Sequence, residues 1–321
     1  MSIRTYIKSL VILGLIFSVG CAAIKLEKER TAKQDKAVNK AIHNLEAEGF
    51  AGIKGKMKNF TLLFDCKFND KDSEFLIESG VPFSTMDVET ARGIGIISKA
   101  EIDRIPKQQS EDSSRMIENF AVNGFEYTDE EVSVVNMDLR RTSLGLNFLI
   151  NNNSVIFFGY NVLLNNPFDE AESMHDSLLA NDYICAPFCD SLGNVFNVAS
   201  QDSLSNKVYV KCQINDLEQI LKISTGSTFS IAYRESSEIQ EEISNKTQES
   251  KRKVMLHMFT KYINIMQIGD SLFLENTKFA LMDRPAKTGD GNIDGILGMD
   301  ILAREKVILD FGNMKMYFMK K

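Results

Sequence analysis

The chain has 321 residues, of which 44% are hydrophobic and 25% charged, a balance that excludes a disordered chain and suffices for one large domain or two smaller lobes. Its net charge is -7 and its pI about 5.2, with no dense basic block, which excludes a nucleic-acid binder. The 3 histidines, His43, His175 and His257, stand far apart in no ligand spacing, which argues against a histidine-based zinc or iron centre.

The first element is an export signal. Arg4 and Lys8 precede an apolar run from Leu10 to Val19, and small residues follow. Ser18-Val19-Gly20-Cys21 resembles a lipobox, with Ser18 where leucine is usual. The expectation is a signal peptide over 1–20 and lipid attachment at Cys21, giving an exported, membrane-anchored envelope lipoprotein. Ala22 beside it is compatible with outer-membrane sorting. Two alternatives stay open: cleavage after Ala23 to release a soluble protein, or retention as a short signal anchor. The apolar run from Ser9 to Ile24, about 16 residues, is at or below the ~17–25 that span a bilayer. Residues 25 to 49 mix both charges with Ala and Leu and lack Pro, which predicts an exposed helix or semi-rigid tether. The tether region is set at 21–56. The glycine-rich stretch 49 to 56 has no P-loop spacing.

Beyond it the texture changes to short apolar runs separated by Gly, Asn and Asp, such as "FTLLFDCKF", "EFLIESG", "EVSVVNMD" and "SVIFFGY". These predict strands, and "ARGIGIIS" (91 to 98) is read as another. The texture returns after residue 180 in "KVYVKCQI", "QILKISTG", "STFSIAY", "YINIMQIG", "TKFALMD" and "EKVILDF". The polar stretches 98 to 116 and 235 to 252 are read as long loops or short surface helices. The division is a lobe over 57–164, a connector over 165–180 and a second lobe over 181–321.

The halves repeat one another. "CKFNDKDSEFLIESGVPFS" (66 to 84) aligns without a gap on "CQINDLEQILKISTGSTFS" (212 to 230). Cys66 falls on Cys212, Gly80 on Gly226, Phe83 on Phe229 and Ser84 on Ser230. Downstream, "LGLNFLINNNSVIFF" (144 to 158) lies over "LGMDILAREKVILDF" (297 to 311). A period near ~150 residues is a domain duplication rather than a solenoid.

With this duplication, "ILKISTGSTFS", "IDGILGMDILAREKVILDF" and the more drifted "FLIESGVPFSTMD" resemble the pepsin-like and retropepsin-like aspartic peptidases. The resemblance covers roughly residues 57 to 321. It implies a mainly β fold of two tandem retropepsin-like barrels in a pepsin-like bilobal arrangement, each carrying an Asp-Thr/Ser-Gly turn. The acids are missing: Glu78 and Ser224 stand at the two catalytic positions. Aspartic proteolysis needs two carboxyls sharing one proton, one activating water and the other supplying the proton. A serine hydroxyl cannot replace an acid, and the extra methylene of Glu78 would carry its carboxyl past the place an aspartate fills. Val81-Pro82 replaces the family's Ala-Ser, and Pro82 removes a backbone donor. Ser79 and Thr225, at the positions that brace the turns in the family, and Gly80 and Gly226 are retained.

The implied reading is an anchored protein that binds a peptide or protein segment in the inter-lobe cleft without cleaving it. The alternatives are a divergent endopeptidase using Glu78 and a purely structural lipoprotein. No cofactor or metal is expected: Asp290 and Asp294 lack calcium-loop spacing. The partners are the membrane, through the lipid, and an extended peptide or protein. Two lobes on one chain make a monomer sufficient. In an oxidising compartment Cys66, Cys185, Cys189 and Cys212 permit two disulfides, with Cys185 and Cys189 able to close a small loop; buried free thiols are the other reading.

Overall fold

The structure is a computed structural model. It describes residues 29 to 319 apart from 30, 34, 60, 106–112, 123–124, 137–141, 167–177, 179–182, 197–206, 215–216, 234–258, 269–271 and 283–292. Cys21 and the signal sequence lie outside the described residues, as do the segment 235 to 252, His175 and His257. Among the described residues no helix is long and apolar enough to cross a membrane.

A helix (α1), described at residues 29, 31–33 and 35–47, is followed by β1 (Ala51–Lys54). The first lobe contains β2 (Lys56–Lys58), β3 (Thr61–Phe68), β4 (Lys71–Ile77), β5 (Thr85–Asp87), α2 (Val88–Gly93), β6 (Ser114–Val122), β7 (Phe125–Val135) and β8 (Thr142–Leu144). Then come α3 (Leu146–Asn151), β9 (Val155–Phe157), β10 (Val162–Asn165) and β11 (Tyr183–Pro187). The second lobe contains β12 (Tyr209–Ile214), β13 (Leu217–Ile223), β14 (Ile231–Tyr233), β15 (Phe259–Ile268), β16 (Leu272–Met282) and β17 (Gly295–Leu297). The chain closes with α4 (Met299–Leu302), β18 (Ile308–Asp310) and β19 (Lys315–Met319).

The second lobe is a closed barrel in the order β12-β13-β17-β14-β16-β15. The first has the matching order β3-β4-β8-β5-β7-β6, with β3 also pairing β6 and β2 added at the edge. Strand directions repeat as well. β4 with β8, and β13 with β17, are parallel; so are β5 with β7, and β14 with β16. The fold is mainly β, two tandem barrels made by duplication. Alternation along the longer strands supports the closure: in β3, Leu62, Phe64, Cys66 and Phe68 are buried, whereas Asp65 and Lys67 between them are exposed. Asn69 and Asp70, with φ of 47 and 62°, form the two-residue turn from β3 to β4, a conformation these residue types tolerate.

A third sheet joins the lobes, in the order β1-β10-β9-β18-β19-β11. Its centre is the antiparallel pair β9 and β18, with Ile156 opposite Leu309. Two bonds continue it symmetrically: Phe158 N–H donates to the Val307 carbonyl at 3.0 Å, and Phe311 N–H to that of Ser154 at 2.9 Å. Ile156, Phe158, Leu309 and Phe311 face the core shared with both barrels. Val155, Phe157, Ile308 and Tyr317 face the other way and pack on Val38, Ala41 and Leu45 of α1.

Several sequence expectations change here. The region read as an exposed tether contributes a docked helix and a sheet strand. Val38, Ala41 and Leu45 recur at helical spacing and cover the outer face of the joining sheet. Asp35 fastens that helix, accepting from the Tyr160 hydroxyl at 2.6 Å and the Lys306 ammonium at 3.3 Å. Gly49, at φ 99°, ends it, and Phe50 N–H reaches back to the Leu45 carbonyl at 3.0 Å. β10 runs to Asn165, so the boundary drawn between lobe and connector falls inside a strand. "ARGIGIIS" is no strand: Asp87 caps α2 through the N–H groups of Glu89 and Thr90, and Ala91, Ile94 and Ile97 bury through helix and turn spacing.

In the structure Cys66, Cys185, Cys189 and Cys212 are free thiols. Cys66 and Cys212 hold equivalent places in two separate barrels. Cys185 and Cys189 are four residues apart along an extended segment, roughly 13 Å, well beyond the reach of a disulfide.

Candidate functional site

Each barrel delivers one turn to the boundary between the lobes. Glu78-Ser79-Gly80 follows β4, and Ser224-Thr225-Gly226 follows β13. The turns are built from the same bonds. Val81 N–H donates to the Glu78 carbonyl at 3.2 Å, and Ser227 N–H to that of Ser224 at 3.3 Å. Glu78 N–H is held by the Leu144 carbonyl and Ser224 N–H by that of Leu297, both at 3.0 Å. Below them the Ser84 hydroxyl accepts from Gly145 N–H at 3.1 Å, and the Ser230 hydroxyl from Gly298 N–H at 2.9 Å. Asn147 Oδ1 accepts from Ser84 N–H at 3.1 Å; Asp300 Oδ1 accepts from Ser230 N–H at 2.8 Å. The internal repeat is therefore a repeat of interactions as well as of letters.

The two turns are locked to each other. Ser79 N–H donates to Thr225 Oγ1 at 3.0 Å, and Thr225 N–H to Ser79 Oγ at 3.2 Å. Each hydroxyl then donates onward into the opposite lobe: Thr225 to the Ile77 carbonyl at 2.7 Å, and Ser79 to the Ile223 carbonyl at 3.1 Å. All four bonds are buried, where a lost partner is costly. The glycines allow the approach. A Cβ on Gly80 would stand 2.6 Å from Ser224 Oγ, and one on Gly226 would stand 2.5 Å from Glu78 Oε1.

Residue 78 therefore reaches across to the second turn, and residue 224 to the first. The extra methylene of Glu78 carries its carboxyl into the space that Gly226 leaves open. Burial raises its proton affinity above the ordinary glutamate range; a hydrogen bond from Ser143 and the charge of Lys222 oppose this. When Ser143 donates to Glu78, Thr85 supplies the proton of the Thr85–Ser143 hydroxyl contact. Register places Thr85 beside Ser143 on neighbouring strands. The matching place in the second lobe pairs Ile231 with Ile296. Hydroxyl support thus exists only in the lobe that keeps a carboxyl. Thr85, Ser143 and Lys222 were not singled out from sequence, because only strand register and lobe packing bring them to Glu78.

The arrangement offers one carboxyl opposite one hydroxyl, with no second acid at the paired position to share a proton. Beyond the turns, Phe83 and Phe229, equivalent in the repeat, keep 50% and 45% of their surface exposed. The cysteines lie elsewhere. Cys185, Cys189 and Cys212 line a cavity of about 350 Å³ beside the second barrel, together with Lys211, Glu218 and Gln267. Their side chains belong to three different packing clusters. Burial pushes the Cys189 thiol up to about 12 and raises those of Cys185 and Cys212, which disfavours the thiolate in all three. Asp294 is occupied as an acceptor for Ile220 N–H at 2.9 Å, and the rest of the segment weighed as a calcium loop, through Asp290, lies outside the described residues. Among the described residues no group of three or more His, Cys, Asp or Glu is placed to hold a metal ion.

No protein-family model and no curated protein matches the sequence. Solved structures do. An aspartic proteinase from Irpex lacteus is 10% identical, with a TM-score of 0.46, over 85% of this chain and 97% of that one. Basic 7S globulin from soybean is 9% identical, with a TM-score of 0.47, over 84% and 94%. A retropepsin-like aspartic protease from Rickettsia conorii is 13% identical, with a TM-score of 0.30, over 36% of this chain and 89% of that one. These similarities concern the fold; what the site can do rests on this chain's own residues.

Proposed function

We propose that the protein is an envelope-anchored lipoprotein whose inter-lobe cleft binds an extended peptide or protein segment without cleaving it. The observation that carries this reading is the pairing of Glu78 with Ser224 at two turns whose bracing bonds and glycines are kept. The bracing bonds and the glycines are present, which keeps the two turns against one another. The second acid, which proton sharing requires, is replaced by a hydroxyl. Such a cleft can hold an extended chain by backbone hydrogen bonds, with side-chain pockets giving selectivity. The exposed Phe83 and Phe229 offer apolar surface close to both turns.

One observation favours a second reading. The raised proton affinity of Glu78 suits a general acid, so a divergent endopeptidase working through this residue is the competitor. A peptidase assay on the purified full chain between pH 3 and 7 separates the two. No cleavage is expected at any pH; cleavage that disappears in Glu78→Gln overturns the proposal. The anchor is tested separately. Cys21→Ala is expected to move the protein from the membrane fraction to the soluble one, and an unchanged distribution removes lipidation from the account.

A further inference from the structure

Helix α1 has a second face. Opposite the buried Val38, Ala41 and Leu45, the side chains of Lys33, Lys36, Asn39, Lys40 and His43 are exposed. The cationic residues among them follow one another at steps of three and four, one stripe on a helix. The acidic residue within this stretch, Asp35, is held by Tyr160 and Lys306. Glu29 stands one turn before the stripe on the same face, and Glu46 and Glu48 come after it at the C-terminal end. A protein of net charge -7 thus presents a basic strip on the face of α1 opposite the one that, among the described residues, packs on the joining sheet.

The placement of that strip is fixed. The joining sheet lies between α1 and the lobes: alternate residues of β9 and β18 face the helix on one side and the core that includes Ile77 and Ile223 on the other. Whatever lies against the outer face of α1 therefore has the Glu78 and Ser224 turns on its far side. Helix is described from Glu29 onward, and the 8 residues from Cys21 to Glu29 span at most ~29 Å. An anchor at Cys21 holds this strip within reach of the bilayer surface.

We infer that the Lys33-Lys36-Lys40-His43 face of α1 docks on the anionic surface of the membrane that carries the anchor, so that the inter-lobe cleft faces away from the bilayer. This rests on the lipoprotein reading above. Each lysine near an anionic surface contributes about fivefold in partitioning, and salt screens the effect. The fastened helix makes the contact an orientation rather than a loose tether.

The test uses the full chain on vesicles of phosphatidylcholine with or without phosphatidylglycerol. Fluorophores are placed at His43→Cys or Phe83→Cys, and a headgroup quencher is carried by the lipid. On anionic vesicles, quenching at position 43 is expected to exceed that at position 83 severalfold. Lys36→Gln/Lys40→Gln is expected to reduce the preference for anionic over neutral vesicles by about 25-fold. Equal quenching at both positions, stronger quenching at position 83, an unchanged preference in the double variant, or no binding to anionic vesicles overturns the inference. The Cys21→Ala fractionation reads the anchor alone, and the quenching ratio reads the docked face alone, so the two failures are distinguishable.

Discussion

At the scale of single residues, the site depends on what glycine leaves empty. A methyl group on Gly226 meets Glu78 Oε1 at 2.5 Å and its Cγ at 2.7 Å, but a side chain can turn aside. A methyl group on Gly145 meets the backbone carbonyl of Phe83, which cannot. Gly226→Ala is therefore expected to cost about 1–2 kcal/mol in denaturant unfolding, and to cost less when combined with Glu78→Ala. Gly145→Ala is expected to cost more, with no side-chain change that rescues it. Additive behaviour of Gly226→Ala and Glu78→Ala would disprove the contact.

At the scale of elements, the two turns act as one clasp. Thr225→Val keeps the shape but leaves Ser79 N–H and the Ile77 carbonyl buried without their partner. The expected loss is roughly 3 kcal/mol, read from the denaturant midpoint. The signal should remain a single transition if the lobes unfold together, and it splits in two if the clasp alone couples them. Helix α1 is a structural element on the same terms. Leu45 is fully buried against the joining sheet, so Leu45→Ala is expected to cost about 2–5 kcal/mol. A substitution without effect on stability would return the helix to the role of a tether.

At the scale of the whole molecule, three carboxyls raised by burial, Glu78, Glu130 and Asp310, shape the pH response. Asp310 lies in the joining sheet, accepting from the N–H of Asn313 at 2.9 Å, and burial raises its pKa from 3.8 to about 6. Glu78 is raised in the same direction by burial. A raised carboxyl binds its proton more tightly in the folded state. Its contribution is therefore complete below the unfolded value and lost as pH rises through the folded one. Asp310 alone corresponds to roughly 3 kcal/mol between pH 4 and pH 7. The melting temperature is expected to rise as pH falls from 7.5 towards 5, and to rise less in Glu78→Gln. A flat or opposite profile would show that these groups are better solvated than their burial implies.

The sequence alone determined the duplication, the mainly β character and the two turns. Each of these is written in local letters: alternating burial, Asn-Asp at a hairpin, and Ser79-Gly80 set against Thr225-Gly226. The tertiary structure decided the rest. Local pattern cannot say which sheet a helix covers, so α1 reads as a charged tether until Val38, Ala41 and Leu45 meet the joining sheet. Thr85, Ser143 and Lys222 carry no motif, and they surround Glu78 only because strand register and lobe contact bring them there. The thiols are equally undetermined by spacing. Whether two cysteines meet depends on distances across sheets, and the barrels keep these apart.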